Sequence, residues 1–125
     1  MNVKFTQELE LPEGFKGTVT VEIPPHQQRL RVLASTGGTK LKQQAEGATD
    51  AEKLELFEKN APILLDVYEH ARKVVAGCQV VQVQENGVEV VVAQSLDELE
   101  RHPATSMAPL QIAAQYLAGY GPGNA

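Results

Sequence analysis

Apolar and polar positions alternate most regularly between Gln79 and Ala93, on either side of Asn86-Gly87. Asn-Gly between two valine-rich runs is the strongest short-range hairpin signal, because both central residues of a type I′ turn need φ > 0 and these two residues adopt it at low cost. With Asn86-Gly87 as a two-residue loop, Val83 faces Val90 and Val81 faces Val92. One face then carries Val81, Val83, Val88, Val90 and Val92, and is expected to be buried. The other carries Val80, Gln82, Gln84, Glu89, Val91 and Ala93, and is expected to be more exposed. A two-stranded ribbon is marginal by itself, so helices should cover the valine face.

A second alternating region opens the chain. Residues 2–11 alternate from Val3 through Phe5 and change phase after Glu8, so either a bulge around Gln7-Glu8 or a short strand is expected. Pro12 to Gly17 reads as a turn, and Thr18 to Ile23 alternates again, so an N-terminal hairpin is predicted. Pro24-Pro25 ends it and can open a helix over 26–35, with Leu30, Leu33 and Ala34 on one side and Arg29 and Arg31 on the other. Gly37-Gly38 should stop that helix. The Gly-, Gln- and Lys-rich stretch 37–49 has one large apolar residue, Leu41, and is expected to be a mobile loop and the first internal site of proteolysis.

Helical spacing returns at Leu54, Phe57, Ala61, Leu64, Leu65, Tyr68, Ala71 and Val75, with Asp50 as the expected N-cap. Pro62 removes a donor and clashes with the preceding turn, so the pattern predicts two helices, 51–59 and 61–76, or a kink, with Asn60 as a possible second N-cap. Ser95 and Glu98 have capping-box spacing and start a short helix that ends at His102-Pro103. A last helix should reach about Ala118, followed by a flexible Gly/Pro-rich tail over 119–125. The expected organisation is therefore one domain over 1–125: hairpin and short helix at 1–36, loop at 37–49, helix–hairpin–helix–helix at 50–118, then the tail. The fold class is α+β, with small antiparallel hairpins packed with four to five helices.

Composition narrows the function. The net charge of −5 argues against a partner held through phosphate contacts, and an aromatic share of 5 % with no Trp leaves little base-stacking surface. The charge is uneven. Residues 1–42 hold six Lys/Arg and four Asp/Glu, whereas 43–125 hold five and twelve. A single Cys78 suits a reducing compartment, and no apolar run approaches the roughly 18 residues of a membrane span. A soluble cytoplasmic protein with no nucleic-acid or membrane partner is expected.

No residue constellation points to catalysis, a cofactor or a metal. His26, His70 and His102 lie far apart and without zinc-like spacing; His102 is placed to favour a helix C-terminus as a cation. Cys78 has no neighbour in sequence that would activate it and reads as a small apolar filler. Ser35-Thr36-Gly37-Gly38-Thr39-Lys40 lacks the order of a phosphate loop and follows a helix instead of a strand. Asp97, Glu98 and Glu100 are explained by the dipole of the helix they open. Arg29, Arg31, Lys40 and Lys42 form one basic group, either a solvated face or a docking patch for an acidic segment.

The order of elements resembles a known family. A small hairpin passes through Pro24-Pro25 to a short helix. A central helix carries Leu64-Leu65-Asp66-Val67-Tyr68-Glu69. Then come Asn86-Gly87-Val88-Glu89-Val90, Ser95-Leu96-Asp97-Glu98-Leu99, and a C-terminal helix with Leu110, Ile112 and Ala113. This is similar to the tail assembly chaperones of long-tailed bacteriophages, best over 50–125. The resemblance implies a non-enzymatic protein of the host cytoplasm that self-associates and coats the helical tape-measure protein during tail morphogenesis. It also implies that a longer form can arise by ribosomal frameshifting. A structural virion component, such as a head–tail connector or tail-completion protein, is the alternative. The helices carry more large apolar residues than a ribbon could cover, so leftover stripes should form a partner interface. Leu30 and Leu33 on the first helix, with Ile112, Tyr116 and Leu117 on the last, are the residues expected to bind the tape-measure protein, another tail protein or a second copy.

Overall fold

The computed structural model describes residues 3–120. Four strands form one antiparallel sheet in the order β1-β2-β3-β4. β1 (Lys4–Glu8) and β2 (Phe15–Glu22) make the N-terminal hairpin, and β3 (Val75–Val83) and β4 (Glu89–Ala93) make the second. The two hairpins are joined through β2 and β3, which pair from Phe15↔Gln82 to Val21↔Val75. Between them run four helices: α1 (His26–Thr36), α2 (Gly38–Ala45), α3 (Asp50–Lys59) and α4 (Ala61–Ala71). After β4 come α5 (Leu96–Arg101) and α6 (Ala108–Ala118). The fold is α+β, as the mixture of periodicities predicts.

One face of the sheet is covered by helices and the other is open. Val19, Val21, Val80 and Ala93 are fully buried beneath α4 and α6, which pack on each other through Leu64, Val67, Ile112, Ala113 and Tyr116. The open face carries Lys4, Thr6, Glu8, Lys16, Thr18 and Thr20, the polar half of the alternation.

The second hairpin differs from its predicted register. Among the described residues only glycines have positive φ, so Asn86 is not left-handed and a type I′ turn is excluded. Instead Gly87 N–H bonds Gln84 O, Gly87 takes φ +83°, and Gln84 N–H bonds Val88 O. This is a three-residue loop, Glu85 to Gly87, with the Asn86 side chain accepting from Val88 N–H. One extra loop residue slides β4 by one position, so Val83 faces Glu89 and Val81 faces Val91. A register shift then leaves Val92 as an extra residue before Val80↔Ala93. The pair Val80↔Ala93 is the predicted one, yet both residues, placed on the exposed side by the sequence pattern, are core, because they share the face of Val19 and Val21 that the helices cover. Val83, Val88 and Val90, expected to be buried, are 36, 51 and 40 % exposed. Of the expected valine face Val81 alone is buried, and it lies on the open side of the sheet.

The stretch 37–49 is no loop. Gly37 is left-handed at φ 86° and redirects the chain, and α2 starts immediately after it. Gly38, Leu41 and Ala45 form a buried stripe, with Gly38 close to Leu33 and Leu117. Two of those three residues are small, so the stripe looked too weak to signal a helix. Lys40 and Lys42 lie within α2, so first cleavage there is no longer expected. Of the two readings for Gln7-Glu8 the short strand holds and the bulge does not: β1 has five residues, ends at Glu8 and pairs continuously with β2.

The break in the central helical pattern occurs as expected, between α3 and α4 at Asn60. The caps differ. Thr49, not Asp50, caps α3, in a complete capping box with Glu52. Asn60 makes no N-cap bond to α4; its side-chain amide donates back to Leu56 O. α4 ends at Ala71, a 3-10 turn covers 72–74, and Val75 already belongs to β3. Because no residue of α3 is buried, its caps govern its local stability. Thr49→Ala is expected to cost about 1 kcal/mol and so speed amide exchange over 50–59 about fivefold, with the global unfolding midpoint unmoved. Hydrogen exchange read by mass spectrometry checks this. Of the predicted flexible tail, Gly119 and Tyr120 are buried, and 121–125 lie outside the described residues.

Candidate binding groove

α3 is the one long helix that contributes nothing fully buried. It carries Leu54, Leu56 and Phe57, yet Leu56 and Phe57 are half-buried and Leu54 is 56 % exposed. In sequence Leu54 and Phe57 run in phase with Leu64 and Tyr68, but before the break at Asn60 no residue of the stripe is fully buried; Leu56 and Phe57 pack on the margin of the core. Leu54 and Phe57 line an open groove of about 920 Å³ whose other side is β1. The end of α2 and one side of α6 complete the walls.

The groove is apolar at its base and charged at its rim. Phe5, Leu54, Phe57, Ala114, Leu117 and Ala118 supply apolar surface. Glu8, Glu10, Glu46 and Asp50 face Lys42 and Lys53, four carboxylates against two ammonium groups. Gln111 closes one end. Its side-chain amide accepts from Glu10 N–H and donates to Glu10 O, both at 2.8 Å, while Gln7 Nε2 donates to Gln111 O at 3.1 Å. The rest of the β1 edge is open. Leu9 N–H bonds Gly17 O and Ile23 N–H bonds Val3 O, so odd residues of this strand pair with β2. Antiparallel alternation then turns the backbone groups of Lys4, Thr6 and Glu8 outward.

Outside the groove, polar side chains cluster where α4 meets α5. Tyr68 O–H donates to Glu100, and Arg72 bridges to Glu100 at 3.3 Å and to Asp97 at 3.8 Å, which ties α5 to α4. Burial first, and the Glu100 carboxylate second, push the Tyr68 hydroxyl well above its ordinary pKa. Burial also raises the Cys78 thiol, with Glu98 adding to it, so Cys78 has no activated thiolate. His102 Nδ1 accepts from Ala104 N–H and the ring lies edge-on to Phe15, so this side chain caps the turn that follows α5. Among the described residues no group of three or more His, Cys, Asp or Glu could hold a metal ion, and no helix is long and apolar enough to cross a membrane.

No protein-family model matches the chain, and the comparisons with curated proteins and with solved structures return no significant match.

The five residues expected to bind a partner are not brought together. Leu33, Ile112, Tyr116 and Leu117 are at most 2 % exposed and form the centre of the core. α6 packs against α4, α2 and α5 and buries Ala108, Ile112, Ala113, Tyr116 and Leu117, so its second stripe is used inside the molecule. Leu30 is exposed, on α1. The basic group is divided as well. Arg29 is buried and donates to Tyr116 O and Leu117 O, at the end of α6, while Arg31 and Lys40 are exposed and Lys42 reaches the groove rim. The residues that line the groove were legible singly, as apolar positions, but only the tertiary fold sets Phe5 of β1 opposite Leu54 and Phe57 of α3.

Proposed function

We propose that this chain is a non-enzymatic binding protein of phage tail assembly that holds an amphipathic helix of the tape-measure protein in the groove between β1 and α3. The observation that carries the binding reading is α3 itself, whose Leu54 and Phe57 flank an open groove with neither of them fully buried. A helix laid there would cover Leu54 and Phe57 with its apolar stripe, as in other helix-in-groove complexes. The excess of carboxylates on the rim favours a partner helix with lysine or arginine beside that stripe. The choice of a tape-measure protein rests on the order of sequence elements alone.

Co-expression with a phage tape-measure protein tests both halves. The partner is expected to become more soluble with this chain, and Leu54→Asp is expected to abolish co-purification. Leu54 is more than half exposed, so that variant should retain the wild-type melting temperature. A tape-measure protein no more soluble with this chain than without it would overturn the chaperone reading, and retention in purified particles would favour a structural component. Co-purification unaffected by Leu54→Asp would overturn the groove.

A further inference from the structure

The two edges of the sheet are treated differently. β1 carries Lys4 and Glu8, and Gln111 occupies the backbone groups of Glu10 just beyond it. Charged side chains and covering groups are the usual protection of an edge strand. β4 has neither. It reads Glu-Val-Val-Val-Ala, and its one charge, Glu89, is engaged by Lys16 across β3. Val88, Val90 and Val91, in and beside that edge, are 40 to 51 % exposed.

The hydrogen-bond phase shows which backbone groups are free. Gln84 N–H bonds Val88 O, so Val88 and Val90 turn their backbone groups towards β3. Antiparallel alternation sends those of Glu89 and Val91 outward, on a side that no other strand of the sheet borders. An occupant of this edge must therefore be an extended strand, and to cover the valines it must be apolar on both faces.

We propose that the occupant is a second copy of the chain, paired antiparallel through β4 about a two-fold axis at Val90, so that two sheets become one. The strand is complementary to itself in this register. Glu89 of each copy falls opposite Val91 of the other, and these are the two residues with outward backbone groups, so every free donor meets a free acceptor. Val90 meets Val90 in the close, non-hydrogen-bonded position. No like charges lie directly opposite. A β4–β4 contact about a two-fold axis uses the same edge in both copies, so the assembly closes at the dimer. This inference is independent of the groove, which lies at the other edge of the sheet.

Sedimentation equilibrium between about 5 and 300 μM should show a reversible monomer–dimer equilibrium. Val91→Pro removes an outward N–H without touching the β3–β4 ladder, a position where proline is tolerated. It should weaken the dimer at least about tenfold, as should Val91→Lys. Val90→Cys in a Cys78→Ala background should oxidise to a disulfide-linked dimer, because Cβ atoms in such a pair lie about 5 Å apart. Leu54→Asp should leave the dimer unchanged, which separates this surface from the groove. A strict monomer at the highest concentration, a species larger than a dimer, or a dimer that survives Val91→Pro and Val91→Lys without cross-linking at Val90→Cys would each overturn the proposal.

Discussion

Gly17→Ala is expected to destabilise the protein by about 3 kcal/mol, lowering the melting temperature by roughly 10 °C. Gly17 pairs with Val80 at the centre of the sheet. A Cβ placed there would lie 2.6 Å from Val80 Cγ2, 2.7 Å from Gln79 O and 3.0 Å from Val80 Cα. Two of those atoms are backbone, and Val80 is fully buried, so neither side can give way without separating β2 from β3. The cost combines overpacking with weakened ladder bonds. Gly77 supplies the control. It lies three pairs along the same two strands, opposite Thr20, with nothing within 4 Å of an added Cβ, so Gly77→Ala should change stability by no more than about 0.5 kcal/mol. Urea denaturation of both variants checks this. A wild-type midpoint for Gly17→Ala would mean that β2 and β3 do not pair in this register.

Arg29→Met should cost about 3 kcal/mol. The guanidinium is buried and donates to Tyr116 O at 3.0 Å and Leu117 O at 3.1 Å. Those carbonyls belong to the last turn of α6, where no intrahelical donor follows and where a cation is favoured by the helix dipole. Met fills much of the same space but leaves both acceptors buried without their charged donor. The loss is moderated because the burial cost of the cation disappears with it. Arg29→Lys keeps the charge on a single ammonium and should cost about half as much. Thermal and urea unfolding of both variants measure the difference, and a Met variant within about 0.5 kcal/mol of wild type would contradict this role.

Local signals were the readable part of this fold. Pro24-Pro25 opens α1, Ser95 caps α5 with its hydroxyl accepting from Glu98 N–H, and Pro62 breaks the central helical pattern. Each depends on neighbours in sequence. The errors share another cause. Asn-Gly suits hairpin loops of two or three residues, and the difference of one residue shifted β4 against β3 up to Val91, until the extra Val92 restores the predicted pair Val80↔Ala93. α2 is held by Gly38 and Ala45 as much as by Leu41, and small residues bury well without a strong apolar signal. Arg29 looked like a surface cation because its acceptors lie 87 and 88 residues away. The same distance in sequence hid the groove: apolar spacing identified Leu54 and Phe57, but only the tertiary fold sets them across from β1.

Hydrogen exchange of this chain, alone and in complex with a helical fragment of a tape-measure protein, tests the groove most directly. α3 buries no residue and the outward amides of β1 have no strand partner, so both should exchange quickly in the free protein. The complex should slow exchange over 50–59 and 4–10 while leaving 88–93 unchanged. Protection centred on α1 around Leu30, or no protection in any segment, would contradict the groove as the binding site.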